Sequence, residues 1–277
     1  MVREIRFGYI PKIFDSLEDF FEEKNIESGA YEILINKIPL HFYYENRKKG
    51  TLLALFNGAV SAKVRFVPAW AGVQMAKSID ANVLLFSDPS IYLSKNLNLG
   101  WYAGNIYQQS LQENISKIIS HIASTQKIIL FGTSGGGYAT LQQSLHIKNC
   151  LAIVSNPQTS IFKYHETAVE NYLKIAWNNI EKSYIPCTTS VVKEFQSPQD
   201  CKLIYIQNTN DSFHIKNHQK PFAQSLHHSN KVIFIDRDLG SGHVGPSRES
   251  LVDIINLAIS ITDWNELSSQ IKNLKIA

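Results

Sequence analysis

Residues Lys127 to Leu141 read KIILFGTSGGGYATL. Ile128 to Phe131 are four apolar residues in a row, the pattern of a short buried strand. Gly132-Thr133-Ser134-Gly135-Gly136 follows and fits G-x-S-x-G. An apolar-periodic segment from Tyr138 towards Ile147 then predicts a helix. Strand, sharp glycine turn with a central serine, helix: this is the context of a nucleophile elbow. Such a turn strains the serine's backbone, so its neighbours must be small. It also points the helix N-terminus and the N–H of Gly135 at an oxyanion forming above the serine. A phosphate-cradling loop is the competing reading of a glycine-rich turn. It lacks support, because G-x-x-x-x-G-K-[ST] is missing and Ser134 stands where a dinucleotide motif needs its second glycine.

A serine hydroxyl is a weak nucleophile at neutral pH and needs a general base, itself oriented by a carboxylate. Elbow enzymes supply these in the order Ser, Asp or Glu, His. Both later places are filled. A strand predicted over Lys202 to Gln207 runs into Asn208-Thr209-Asn210-Asp211, and one over Lys231 to Asp236 runs into Arg237-Asp238-Leu239-Gly240-Ser241-Gly242-His243. Ser134, Asp211 and His243 are the candidate catalytic residues. Asp236 and Asp238 compete for the acid, but they lie on or just past the strand that delivers the histidine. His214 and His218 stand four apart and offer a metal-ligand alternative, without a third ligand at a convincing spacing, although His227 and His228 are nearby. No metal is assigned. The second oxyanion N–H comes from a loop after an early strand. Asn57-Gly58-Ala59, after a buried strand at Leu52 to Phe56, holds that place in the order.

Strands and helices alternate along the rest of the chain. Ser16 and Asp19 resemble a capping box ahead of a short helix carrying Leu17, Phe20 and Phe21. Tyr31 to Tyr44 reads as a hairpin with a turn at Asn36-Lys37. Helices are predicted over Pro68 to Ser78, Asn105 to Ser124, Pro221 to His227 and Glu249 to Ile261. Further strands are predicted over Ala81 to Phe86 and Cys150 to Ser155. His121 is expected on the surface of its helix, and Asp88, before Pro89, is expected to form a turn. The loop Leu99 to Gly104, with Trp101 and Tyr102, either contacts substrate or packs. Residues 160 to about 198 break the strand rhythm and are rich in aromatics, Trp177 among them. They are expected to form a partly helical cap over the site, and packing onto the body is the alternative. Together this predicts one α/β domain over residues 1–277, with a doubly wound, mostly parallel sheet and a helical cap insertion.

Composition narrows the function classes. The chain of 277 residues is 44% hydrophobic and 18% charged, with a net charge of +3, an ordinary globular balance that makes no case for nucleic acid. Three widely spaced cysteines suggest reduced thiols. The N-terminal stretch lacks a signal-peptide core, and no run approaches the roughly 18 apolar residues of a membrane span, so a cytoplasmic location is expected.

With GTSGGG, NTND and GSGHVG in place, the sequence resembles the α/β-hydrolase superfamily of serine enzymes from about Leu52 onward. Asn210-Asp211-Ser212-Phe213-His214, with Asn156-Pro157-Gln158 before it and Gly242-His243 after, is also similar to α/β-hydrolase-fold proteins of capsule loci, among them capsular polysaccharide O-acetyltransferases. That resemblance implies acetyl-CoA as the donor substrate and a sugar hydroxyl of a polysaccharide as the acceptor. No other cofactor is expected. A plain carboxylesterase acting on small acyl esters and a non-catalytic accessory protein remain open. Trp101, Tyr102, Trp177, Gln158 and His214 complete the expected site as candidate substrate contacts.

Overall fold

The computed structural model describes residues 3–6, 8–36, 38–197, 199–226 and 231–277. Among the described residues, eleven strands follow one another: β1 (Glu4–Ile5), β2 (Lys12–Phe14), β3 (Gly29–Ile35), β4 (Ile38–Glu45), β5 (Thr51–Phe56), β6 (Phe66–Val67), β7 (Asn82–Ser87), β8 (Lys127–Thr133), β9 (Cys150–Ser155), β10 (Lys202–Asn208) and β11 (Val232–Arg237). Nine form one sheet in the order β11-β10-β9-β8-β5-β7-β4-β3-β2, and β1 pairs with β6 apart from it. Within the large sheet only β4 runs against the others.

The central strands are apolar runs because both faces are covered. Leu52, Ala54 and Phe56 enter one core with the helices Leu111–Ala123 and Gly135–Ser144. Leu53 and Leu55 enter the other, under the helix Arg248–Ser260. Period-two alternation thus divides each strand between two layers of helix, and the mixed α/β sheet is wound on both sides.

Two predicted helices shorten. Pro68 to Ser78 yields only Val73–Ala76. Gly72 sits at φ +76°, a left-handed turn that no right-handed helix can run through. Asn105 to Ser124 begins only at Leu111. Its first residues are held in turns by the Asn105 side chain, which accepts from Tyr107 N at 3.0 Å and donates to Ser90 Oγ at 3.3 Å. Ser16 Oγ caps the first helix by accepting from Asp19 N, as the sequence predicts. His121 is half-buried and not a free surface residue: Nε2 lies 3.1 Å from Glu23 O, and its ring meets Phe20 and Phe21 edge-on. The helix predicted to end at His227 is described over Lys220–Ser225. His227 and His228 lie outside the described residues, as does Lys37 of the predicted hairpin turn.

Between residues 160 and 198 one α-helix, Glu166–Ala176, is flanked by short 3-10 turns. The segment is tied down by a bridge between Ser160 and Ser190 and by Tyr172 OH donating to Gly104 O at 3.0 Å. Among the described residues no helix is long and apolar enough to cross a membrane, and all three cysteines are free thiols.

Candidate active site

Five neighbouring parallel strands, β5, β8, β9, β10 and β11, carry at their C-terminal ends the loops that sequence reading singled out. In open α/β sheets this edge is where ligands bind.

Ser134 follows β8 directly and has φ +54° and ψ −119°, well outside the regions an L-residue prefers. Close packing holds it there. A Cβ on Gly132 would lie 2.2 Å from Gly136 O, and one on Gly136 would lie 2.2 Å from Phe56 O. Only glycine lets the turn close and lets the helix start press against the end of β5. That approach brings Gly58 beside Ser134, where its own Cβ would stand 3.7 Å from Ser134 Cβ.

The loop after β5 is pinned by Asn57. Its side chain donates to Ala69 O and accepts from Ala71 N at 2.7 Å, and its backbone N–H donates to Tyr102 OH at 2.9 Å. The Asn57 amide is therefore engaged, which leaves Gly58 and Ala59 as that loop's candidates for an oxyanion, with Gly135 at the start of the helix.

Asp211 is buried after β10, where its Oδ1 accepts from His214 N at 3.1 Å. Its Oδ2 lies 2.6 Å from His243 Nδ1. Burial works to raise the Asp211 pKa. The His243 hydrogen bond, the His214 amide and the His214 ring outweigh that, and the net displacement is downward, so the carboxylate form is favoured. The competing acids point elsewhere: Asp236 accepts from Gln219 Nε2, and Asp238 from Asn210 Nδ2 and Gly240 N.

His214 Nδ1 lies 2.9 Å from the same Asp211 oxygen, close enough to interact with it, yet among the described residues neither ring nitrogen has an aligned hydrogen bond. The reason is its stacking on His243, with centroids 4.0 Å apart and planes 14° apart. Two displaced, near-parallel rings cannot both hold one oxygen in plane. The same argument bears on metal binding. Ligand atoms of Asp211, His214 and His243 lie within 4.8 Å of one another, but near-parallel imidazole lone pairs do not converge on one ion. His214 and His218 are buried, and burial is the main cause that pushes their pKa values down to about 4 and about 3. His218 Nδ1 accepts from Thr159 N at 3.2 Å, so this ring acts as a structural acceptor.

Ser134 Oγ accepts from Gln158 Nε2 at 3.1 Å, and no hydrogen bond joins it to His243 among the described residues. Gln158 Oε1 accepts from Trp101 Nε1. Trp101, Tyr102 and Trp177 are each at most 1% exposed, so they back the site from within the core and present no open face to a ligand. Trp177 packs edge-on to Tyr172, 6.5 Å between centroids. Two clefts open at the site on either side of Tyr164 and His165. One, of about 300 Å³, is lined by Ala59, Asn98, Leu99 and Asn171. The other, of about 270 Å³, is lined by Asn210, Asp211, His214 and His243.

Two residues that sequence reading did not single out as site elements hold these loops together. Asn208 Nδ2 donates to Gly240 O and Gly242 O, each at 2.8 Å, and its Oδ1 accepts from Leu239 N at 3.1 Å. Asn156 accepts from Asn208 N at 2.7 Å and donates to Val244 O at 2.8 Å. The signal available was an asparagine ending a buried strand or standing just past one.

No protein-family model matches this chain, and no curated protein sequence does. Among solved structures, the capsule O-acetyltransferase of Neisseria meningitidis serogroup A is similar, with a TM-score of 0.58 at 14% identity over 82% of this chain and 98% of that one. A histidine-to-alanine mutant of the same protein in complex with CoA gives 0.58 at 13% identity, over the same shares of both chains. Prolyl oligopeptidase B from Galerina marginata, bound to a 35mer hydrolysis and macrocyclization substrate, gives 0.55 at 14% identity, over 91% of this chain and 38% of that longer one. These proteins are enzymes, and what this chain shares with them is a fold: a mixed α/β architecture with a mostly parallel central sheet, compatible with the α/β-hydrolase fold.

Proposed function

We propose that the chain is a serine-nucleophile acyl-transfer enzyme acting on O-acyl esters through Ser134, His243 and Asp211. The observation that carries the reading is the 2.6 Å contact between Asp211 Oδ2 and His243 Nδ1, on the loops after β10 and β11, at the sheet edge that also carries a serine at φ +54°. Folding alone requires neither feature.

Ser134 Oγ attacks the acyl carbonyl carbon while its proton passes to His243 Nε2. Asp211 fixes the tautomer that leaves Nε2 as the acceptor, and stabilises the imidazolium. The oxyanion is held by the amide of Gly135 and by one amide of the Gly58–Ala59 loop. The bond to the leaving group breaks, and that group takes the proton from His243. A hydroxyl then attacks acyl-Ser134, gives its proton to His243, and the Ser134 oxygen leaves and recovers a proton.

The finer reading is an O-acetyltransferase that passes acetyl from acetyl-CoA to a hydroxyl of a surface polysaccharide. The capsule O-acetyltransferase likeness and the Asn-rich cleft beside Ala59, which suits hydroxyl groups, support it. Residues 160–197 cover the site as a cap, with Tyr164 and His165 between the clefts. Plain ester hydrolysis is the second reading, favoured because neither cleft is lined by a lysine or arginine among the described residues, where a coenzyme's phosphates would seek cations.

Intact-mass spectrometry after a fluorophosphonate tests the core of this proposal. Wild type is expected to gain one adduct and Ser134→Ala none. A folded wild type that gains none refutes it. Acetyl transfer from acetyl-CoA that does not rise with a polysaccharide acceptor refutes the transferase version.

A further inference from the structure

Resting on that acyl-transfer reading, we infer that Gln158 is itself a catalytic residue, an N–H donor to the nucleophile's oxygen whose orientation is set by Trp101. Gln158 is fully buried. Its backbone N–H donates to Ser134 O at 3.1 Å, and its side-chain Nε2 donates to Ser134 Oγ at 3.1 Å.

A glutamine amide has two ends of nearly equal shape, so its direction needs a chemical reason. Trp101 supplies one. An indole N–H can only donate, so the end of Gln158 that faces Trp101 must be the carbonyl. The amino end is then the one turned to Ser134.

Trp101 is held firmly in turn. It and Tyr102 have φ of +56° and +54°, two successive residues in a conformation that L-side chains rarely adopt. Tyr102 N donates to the buried carboxylate of Asp88 at 2.9 Å, and a Cβ on Gly100 would lie 2.7 Å from that same carboxylate. The Trp101 ring packs edge-on against Tyr172 and Tyr164, with centroids 5.3 and 6.0 Å away. A strained, fully buried loop thus aims one N–H at the reacting atom.

The chemistry follows from the electron pairs on Oγ. One accepts from Gln158, the other attacks the carbonyl, and the proton leaves to His243. When acyl-Ser134 breaks down, the C–Oγ bond opens and its electron pair returns to Oγ, which then takes the proton from His243. The Gln158 N–H stabilises the charge on Oγ in both half-reactions.

The test is the second-order rate of fluorophosphonate labelling between pH 5 and 9, with the folded fraction followed by circular dichroism. Gln158→Met keeps the volume and removes the donor. It is expected to lower the rate about ten- to a hundred-fold at every pH without moving the midpoint of the profile, since the amide does not titrate. Trp101→Phe frees the amide to turn and is expected to lose less. Gln158→Glu places an acceptor against Oγ that diverts its proton from His243, so its deficit deepens as pH rises. Folded Gln158→Met labelling at the wild-type rate overturns the inference. Should that variant not fold, Gln158→Glu decides: a wild-type rate overturns the inference, and a pH-dependent deficit upholds it. A wild type that does not label at all overturns the acyl-transfer reading instead, a result distinguishable from any of these.

Discussion

Acid is expected to destabilise this protein between pH 7 and 4.5 chiefly through buried histidines. His214 and His218, at 2% and 0% exposure, have folded-state pKa values lowered to about 4 and about 3. The largest cause is burial. Repulsion from neighbouring rings adds to it: His243 and His165 act on His214, while His214, His165 and His243 act on His218. Asp211 opposes the shift in both. In the unfolded chain each histidine takes up a proton near its ordinary pKa of about 6.5. Because the folded state refuses that proton, stability is complete well above 6.5 and falls as pH drops below it. At pH 4.5 each ring then costs about 2.5 kcal/mol, and the pair about 5 kcal/mol. That is comparable with the whole stability of a marginal domain. Asp211 does not contribute in this window. Its folded pKa is lowered, so its stabilisation is present above the unfolded carboxylate pKa and is lost only as pH falls through the lower folded value. The assay is urea unfolding at pH 7 and 4.5 on wild type and His218→Leu. The variant leaves Thr159 N without its acceptor, so it starts weaker at pH 7 by about 1–3 kcal/mol. Its loss on acidification, however, should be smaller than that of wild type by about 2.5 kcal/mol, the share of one ring. His41, also buried and displaced downward by burial, adds equally to both proteins. An acid loss in His218→Leu as large as in wild type refutes the reasoning.

Two further outcomes follow from the loop contacts. Asn208→Ala removes both N–H donors to the Gly240 and Gly242 carbonyls, so fluorophosphonate labelling should fall by about tenfold or more, and Asn208→Asp, which keeps the acceptor for Leu239 N but sets a carboxylate oxygen against those two carbonyls, should lose at least as much. Tyr102→Phe strips the acceptor from Asn57 N and the donor from Phe86 O, so thermal or urea unfolding should show about 1–3 kcal/mol of lost stability.

The sheet was legible because a strand covered on both faces is an unbroken apolar run, and Leu52–Phe56 and Cys150–Ser155 are such runs. Helix starts were less legible. Gly72 and the Asn105 turn displace them through backbone conformation and through a side chain that bonds across the fold. The two-residue pair β1 and β6 is too short to carry a period. Within the site, short motifs located Asp211 and His243, whose loops the structure brings into contact, and Ser134 at the same edge of the sheet. They could not show that Trp101, 57 positions from Gln158, would turn that amide. Nor could they show that Asn156 and Asn208 would tie the acid loop to the histidine loop. Those are contacts between strand ends, and a linear pattern does not record which ends become neighbours.

The carboxylate of Asp211 raises a sharper question, because one oxygen lies within 2.9 Å of two imidazoles. Proximity to the acid cannot decide which of them is the base. Solvent and ring geometry can. The His214 side chain is 2% exposed, its charged form is opposed by burial, and its Nδ1 stands out of line with the oxygen. It stays neutral at neutral pH and presents its face to the neighbouring ring. The His243 side chain is 39% exposed, and its Nδ1 makes the aligned 2.6 Å hydrogen bond. In the proposed reaction His243, with water on one side and the carboxylate on the other, is therefore the ring that receives the proton of Ser134. Stacking a second, uncharged ring against it restricts its rotation without offering the proton a rival site. Two histidines in contact with one acid thus divide the work by depth of burial.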